Sequence, residues 1–307
     1  MFTYGRDFRI TIFGASHDDY VGILIDGIKA GTHIDFEQIK TSLDRRRPSS
    51  IDETSRREED DLVVVSGYEN DHTTEAPLVI LIKNSDVKKS DYNDIKDAFR
   101  PGHADYSKFV KYEGQAYETG GGVFSGRMTV ALVVAGEIAR QIHDFNISSE
   151  IIFAGENTGS HIKIMATEIN PGLGQPFFDS VESVVSHILF SVPSVKGINF
   201  GNILETYKMT SVEVLDEFYM EGEKLKTEHN HDGGVQGGIT NGMPIVINVF
   251  LKAIPTVNID VETLDKDFNQ TTIKASGRHD RQIANRVGVV LESAVQIALL
   301  DLLMRAR

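Results

Sequence analysis

Cysteine is absent from all 307 residues, and so is tryptophan. A chain without thiols has no disulfide, no thiolate nucleophile and no thiolate metal site, and it suits a reducing compartment. Basic charge is scarce as well: 31 Lys and Arg stand against 45 Asp and Glu, a formal net charge of −14. Such a surface repels phosphate backbones, which argues against a nucleic-acid partner. Long apolar runs are missing. The most apolar stretch, residues 287–304, is broken by Glu292 and Asp301, so it reads as an amphipathic helix and not as a bilayer span. Residues 1–10 contain Arg6, Asp7 and Arg9 and lack the apolar core of a secretion signal. The expected location is the cytoplasm. No repeat, low-complexity tract or Pro/Gly/Ser-rich linker divides the chain. The expectation is therefore one mixed α/β (α+β) domain over residues 1–307, large enough to bury a substantial core.

What is present is a recurrent pattern of short strands and amphipathic helices. Residues 9–13, 62–66, 78–83, 150–153 and 244–251 are rich in β-branched or aromatic side chains and bounded by turn residues. Apolar spacing of three and four predicts helices over residues 36–47, 129–145, 180–191 and 287–304. Asn241-Gly242 between two apolar segments predicts a tight hairpin. Glycine concentrates at positions 120–122, 233–234 and 237–238, where a chain turns sharply or approaches a ligand closely.

Arg45-Arg46-Arg47-Pro48 followed by Arg56-Arg57 puts five arginines within thirteen residues of an otherwise acidic chain. A solvated helix end explains many such runs, but guanidinium groups are also suited to bidentate recognition of carboxylate and phosphate. Gly121 to Met128 imitates a nucleotide P-loop. Arg127 stands where Lys is needed and Met128 where Ser or Thr would hold magnesium, which excludes that reading. Three histidines sit beside glycine in polar segments: His17, His103 and His279. Histidine is the usual proton carrier near neutral pH. Glu228-His229-Asn230-His231-Asp232 forms a weak kernel of a metal site.

Taken together, these motifs are ordered. Gly14-Ala15-Ser16-His17, Arg45-Arg46-Arg47-Pro48 and Phe99-Arg100-Pro101-Gly102-His103-Ala104-Asp105-Tyr106 resemble segments of chorismate synthases. So do Gly120-Gly121-Gly122 with Ser125 and Arg127, Pro171-Gly172-Leu173-Gly174, Asn230-His231-Asp232-Gly233-Gly234, Gly237-Gly238 and Gly277-Arg278-His279-Asp280. The resemblance covers residues 5–307. It implies a β-α-β sandwich, a homotetramer, and a 1,4-anti elimination of phosphate from 5-enolpyruvylshikimate 3-phosphate with loss of a C6 hydrogen. It also implies reduced FMN as cofactor, although the reaction has no net redox change. Some members of that family reduce the flavin with NADPH; no separate nicotinamide-binding domain is visible in this chain.

By the same resemblance, His17 is the acid towards the departing phosphate, His103 manages the charge of reduced flavin, and Asp280 is the carboxylate relaying the proton lost from the substrate. Ser16, Arg45, Arg46, Arg100 and Arg127 match substrate-binding positions. Ser125, Pro193, Ser194, Gly237, Lys252, Ala253, Ile254, Pro255, Thr256 and Arg278 match flavin-binding positions. No metal is implied.

The chain departs from the family pattern where anions bind. Asp18 replaces the Gly after Ser16-His17, Ser49 the Gly after Pro48, and the family's next arginine is missing. Val123 stands for an arginine, Phe124 for a serine and Met128 for a glutamate. Lys252-Ala253-Ile254 stands for Lys-Pro-Thr, and Arg281-Gln282 for Pro-Cys. Each charge-assisted hydrogen bond lost costs about 1.5–3 kcal/mol of binding, so two missing arginines weaken affinity by roughly a hundredfold unless others substitute. Arg57 and Arg281 are the substitutes that the sequence offers. Two other readings stand beside the enzyme: a non-catalytic or altered-specificity relative that keeps an FMN or anion pocket, and a metal-dependent hydrolase built on His229, His231 and Asp232.

Overall fold

A computed structural model describes residues 2–48, 58–85, 97–116, 121–255, 259–274 and 282–306. Alternating large apolar side chains build a five-stranded antiparallel sheet from the N-terminal part of the chain. Its strands are β1 (Thr3–Tyr4), β2 (Arg9–Gly14), β3 (Tyr20–Asp26), β4 (Leu62–Ser66) and β7 (Leu78–Lys83), in the order β1-β2-β3-β7-β4. Between β4 and β7, β5 (Tyr68–Glu69) and β6 (His72–Thr73) form a small hairpin. A second antiparallel sheet comes from β8 (Ile147–Ala154), β9 (Ser160–Ala166), β10 (Val195–Phe200) and β15 (Ile245–Leu251), ordered β10-β15-β9-β8. Three further hairpins are β11 (Phe218–Glu221) with β12 (Lys224–Thr227), β13 (Val235–Gln236) with β14 (Ile239–Thr240), and β16 (Asp260–Leu264) with β17 (Gln270–Lys274).

Helices fill the space between the two sheets. α1 (Phe36–Asp44), α3 (Val130–Ile142), α4 (Val181–Leu189) and α6 (Ala284–Arg305) match the spans expected from apolar spacing to within a few residues. α2 (Asp105–Lys111) and α5 (Ile203–Thr206) are short. α3 packs on β3, on α1 and on α6, while α6 packs on β8, β9 and α4. The result is sheet, helices, sheet, with one continuous apolar core running through all three layers. The fold class expected from the sequence is the one observed.

Two local expectations are corrected. α6 is not amphipathic: buried residues run along it from Ala284 to Leu302 on every side. By length and composition it is apolar enough to cross a membrane, yet 89% of that window is buried inside the fold. Its polar residues serve as internal partners. The Asp301 carboxylate, fully buried, accepts hydrogen bonds from the backbone N–H groups of Arg6, Asp7 and Phe8 at 2.9, 2.8 and 3.0 Å and pairs with Arg305. Gly136 of α3 faces Ser293 of α6, where an added Cβ would lie 2.3 Å from the serine Cβ. The absence of a side chain there sets how closely the two central helices approach.

The second correction concerns Asn241-Gly242. The strand before it, β14, pairs backwards with β13, with Gln236 opposite Ile239. The two-residue turn is therefore Gly237-Gly238, whose φ values of 61° and 85° are the left-handed pair that a tight hairpin requires. Asn241 instead closes a local turn, its side-chain oxygen accepting from the Met243 N–H at 3.0 Å.

The buried Asp301 cluster yields a stability prediction. Asp301→Ala leaves three backbone donors without their acceptor and Arg305 with Asp179 as its remaining carboxylate, so the unfolding free energy should fall by about 3–5 kcal/mol. Denaturant unfolding of the variant against the parent chain measures this, and a loss below 1 kcal/mol would show that water replaces the carboxylate.

Candidate active site

Asp35 starts α1 by accepting from the N–H groups of Glu37 and Gln38 at 2.9 and 3.4 Å. At the other end, Arg46 N–H donates to the Leu43 carbonyl and Arg47 N–H to the Asp44 carbonyl, both at 3.0 Å. These tightened turns fan the three arginines apart. Arg45 turns to α6 and forms a bidentate pair with the buried Glu292 at 2.7 and 2.8 Å. Arg46 enters the interior, and Arg47 donates to the Glu59 carbonyl at 2.8 Å.

A cavity of about 390 Å³ opens where this helix end meets the start of α3 and α6. Five arginines line it, Arg46, Arg47, Arg100, Arg127 and Arg286, against two carboxylates, Glu58 and Asp60. Apolar surface comes from Phe124, Val192, Ile254, Pro255, Val287 and Val290. An overall acidic chain thus concentrates positive charge in one concave place, the arrangement that steers a small polyanion inward.

The floor of the cavity is a buried ion cluster. Arg127, 8% exposed, donates from Nε to Asn84 Oδ1 at 2.8 Å, from Nη2 to the Lys83 carbonyl at 2.9 Å, and from Nη1 to Asp60. Arg46 Nη1 lies 3.9 Å from the other oxygen of Asp60, and its Nη2 donates to Thr129 Oγ1 at 3.2 Å. Burial pulls Arg46 down to about 10, with Asp60 opposing and Arg127 and Arg286 adding to the fall. It stays charged at neutral pH. Arg286, at the start of α6, donates from Nε to the Arg46 carbonyl at 2.8 Å and so ties α6 to the same place.

The glycine-rich segment supplies the opposite wall. Ser125 caps the short turn Gly126–Thr129 through its hydroxyl, which accepts from the Arg127 N–H at 3.2 Å. The carbonyl of Gly122 accepts from Ser16 N–H at 3.3 Å, bringing the Ser16-His17 turn against this loop. Ser16 is fully buried, and its Oγ lies 2.8 Å from Nδ1 of His17.

His103 stands on the third side. Phe99 N–H donates to the Leu264 carbonyl at 3.0 Å, so the hairpin of β16 and β17 holds the segment that begins the Arg100-Pro101-Gly102-His103 turn. Gly102, at φ 76°, packs so closely on Pro255 that an added Cβ would lie 2.6 Å from that ring. Arg100 forms a bidentate pair with Asp105 at 2.7 and 2.9 Å. Burial raises the Asp105 carboxyl, and the Arg100 hydrogen bonds outweigh it and hold the group below the usual carboxylate range. Burial pushes His103 below the usual imidazole range, Arg100 and Lys252 push the same way, and the Pro101 carbonyl and Asp105 oppose them.

Of the residues expected from the sequence, Arg46, Arg100, His103, Ser125, Arg127, Pro193, Ser194, Ile254 and Pro255 share this cavity. Ser16 and His17 lie against its Gly122 loop. Lys252 adjoins it, its Nζ donating to the Gly102 carbonyl at 2.5 Å, and Ala253 follows without lining it. Arg45 is not brought there, because Glu292 engages its guanidinium. Gly237 is not either; its hairpin meets the start of α4, where the Gly238 carbonyl accepts from Val181 N–H at 3.0 Å. Asp280, Arg278 and Thr256 lie outside the described residues, as do Gly120, Arg57 and Arg281.

Sequence reasoning missed Arg286, Glu58 and Asp60, while Arg47 belongs to the arginine run it singled out but not to the expected substrate-binding positions. Arg286 is concealed inside a helix pattern, and the two acids inside the run Glu58-Glu59-Asp60-Asp61, which reads as a solvated face. His229 and His231 lie side by side, ring centroids 5.0 Å apart, but among the described residues no group of three His, Asp or Glu side chains is placed to hold a metal ion. The hydrolase reading loses its ligand set.

Fold and cavity together define a helix layer between two antiparallel sheets, with an arginine-lined cavity where α1 ends and α3 and α6 begin. A sequence model of the chorismate synthase family matches residues 8–154 and 148–304. Chorismate synthases of Chitinophaga pinensis, Thermococcus gammatolerans and Dehalococcoides mccartyi are 40%, 33% and 32% identical to this chain. The alignments cover 99%, 99% and 98% of it and 97%, 98% and 96% of theirs. A crystal structure of a chorismate synthase superposes at a TM-score of 0.74, with 21% identity over 98% of this chain and 93% of that one. This chain belongs to the chorismate synthase family.

The depressed His103 carries a pH prediction. Its ring is neutral at pH 7, and NMR should place its titration midpoint below about 6.5, the value of a free imidazole. Because the folded state holds the proton less tightly than the unfolded chain, stability is lost as pH falls below that unfolded value. Arg100→Met removes a lowering charge and frees Asp105 to favour the imidazolium, so the midpoint should rise; an unchanged midpoint would leave burial and Lys252 as the causes.

Proposed function

We propose that this chain makes chorismate by eliminating phosphate from 5-enolpyruvylshikimate 3-phosphate, with reduced FMN as cofactor. The observation that carries the reading is the convergence of Arg46, Arg127, Arg286 and His103 in one cavity, with the Ser16-His17 turn against its wall, in a chain of this family. The lining fits both ligands in kind. Val192, Ile254, Pro255, Val287 and Val290 give apolar surface for a ring system, and the arginines give charge for phosphate and carboxylate.

The overall change is loss of phosphoric acid: a C–O bond breaks at phosphate, a hydrogen leaves C6, and a double bond forms. Reduced FMN, when bound, supplies electron density while the phosphate leaves. The protein's own residues do the remainder. Arg46 and Arg127, already held by Asp60, meet the departing dianion with positive charge that needs no reorganisation. His17 delivers a proton to the phosphate oxygen, its ring held by Ser16. His103, neutral at pH 7, accepts or returns a proton beside the cofactor. Asp280 takes part in removing the C6 hydrogen.

Two departures from the family pattern become harmless on this reading. Met128 packs in the core and is not among the residues that line the cavity. Arg47 and Arg286 line the cavity and supply positive charge there, which offsets the arginine that Val123 replaces. We further propose a cytoplasmic homotetramer. Phe13, Leu81 and Val63 fall in one cross-strand row on the outward face of the first sheet, with Phe13 and Val63 exposed. Ile151, Ile152 and Phe153 are exposed on the edge strand β8, and a second copy would cover such surface.

The test is anaerobic mixing of the purified protein with 5-enolpyruvylshikimate 3-phosphate and chemically reduced FMN. Chorismate and phosphate should appear in equal amounts; FMN binding without either product would establish a relative that keeps the pocket and not the reaction. In the active protein, His17→Ala should lower kcat by about 10²–10⁴-fold while FMN affinity holds. A wild-type rate in that variant would remove the proton-donor role.

A further inference from the structure

The end of β7 carries a residue that no motif singles out. Asn84 is buried at the meeting point of the Ser16-His17 turn and Arg127. Its side-chain Nδ2 donates to the Ala15 carbonyl at 3.2 Å and to the Asp18 carbonyl at 2.6 Å, so one amide brackets Ser16 and His17 from both sides. Its backbone N–H donates to the Asp19 carbonyl at 2.9 Å. Its Oδ1 accepts from Arg127 Nε at 2.8 Å. The partners fix the orientation of the amide: two carbonyls need a donor, and the guanidinium needs an acceptor.

We propose that Asn84 is a positioning residue that holds His17 and Arg127 as one unit, setting the proton donor in fixed relation to the arginine that meets the phosphate. The inference rests on the elimination reading above. Among the described residues Asn84 is the side chain hydrogen-bonded to both ends. Aspartate offers oxygens to Arg127 but presents an acceptor to the carbonyls of Ala15 and Asp18, while alanine serves neither partner. The geometry also explains why the turn follows β7 closely, because Ala15, Asp18 and Asp19 all end their hydrogen bonds on one residue. A displacement of the turn then moves His17 without touching the bound anion, and catalysis is sensitive to such shifts of about 1 Å.

The test is a double-mutant cycle on the whole protein, scored per folded molecule. Asn84→Asp keeps an acceptor for Arg127 and opposes the turn, so kcat should fall about tenfold to a hundredfold with KM for 5-enolpyruvylshikimate 3-phosphate changed much less. In a His17→Ala background the same substitution should cost nothing further, since its effect passes through His17. Where Asn84→Asp gives no folded protein, Asn84→Ser, which offers one donor to the turn, takes its place with the same expected split. Equal losses with and without His17, or a fall in folded fraction at unchanged kcat, would overturn the proposal. A parent protein that forms no chorismate would overturn the elimination reading instead, so the two failures are distinguishable.

Discussion

One carboxylate governs the functional end of this molecule. Asp60 sits between Arg127 and Arg46, all three almost fully removed from water. Two guanidinium groups in such a place repel each other and lose their hydration, and only a partner of opposite charge makes the pair tolerable. Asp60 provides it at a left-handed φ of 55°, an unusual conformation for a residue other than glycine. The backbone strain is retained because the charge cluster needs the carboxylate there. Removing Asp60 would leave two buried cations facing each other. The cavity is thus charged before any ligand arrives, and the field that a departing phosphate meets is built into the folded state.

The sheets and helices exist to bring distant segments to that cluster. Arg46 leaves the end of α1, Asp60 precedes β4, Asn84 follows β7, Arg127 precedes α3 and Arg286 opens α6. Each sits at the end of a regular element whose own hydrogen bonds are satisfied, so the element's rigidity is passed to the side chain. The fit of α3 against α6 at Gly136 and Ser293 matters for the same reason. It fixes the distance between the helix that starts beside Arg127 and the helix that starts beside Arg286.

Much of this was legible in the residues themselves. Strands and helices followed the apolar period to within a few residues, because burial on one face forces that period on the sequence. Among the described residues, Arg46, Arg100, His103 and Arg127 of the ordered motifs line one cavity and the Ser16-His17 turn lies against its glycine loop, while two other expected positions, Arg45 and Gly237, lie elsewhere for physical reasons. Arg45 resembles its neighbours in the run, but it is the C-cap of α1 and turns to α6, whereas Arg46 and Arg47 follow the helix end and face the cavity. Arg45 accordingly faces Glu292, a buried acid in a helix that reads as amphipathic from its sequence. Gly237 carries the left-handed turn of its own hairpin, and a glycine signal does not tell a ligand loop from a tight turn. Asn84 and Asp60 were illegible for a different reason. Their importance lies in contacts more than 40 residues apart in sequence, and a polar residue at a strand end looks the same whether it is solvated or a hub.

The placement of His103 shows why burial and charge have to be read together at such a site. A histidine among several arginines is expected to lose its proton, and desolvation works in the same direction. Asp105 opposes both, but Arg100 holds its carboxylate through a bidentate pair and the arginine's own charge lies beside the ring. The arginine therefore tunes the histidine twice, by its field and by engaging the nearest acid. A ring held neutral in this way adds nothing to the fixed positive field of the arginines, whereas a permanently charged imidazolium would. Arg100, one of the five arginines that line the cavity, thus also lowers the proton affinity of the histidine placed among them.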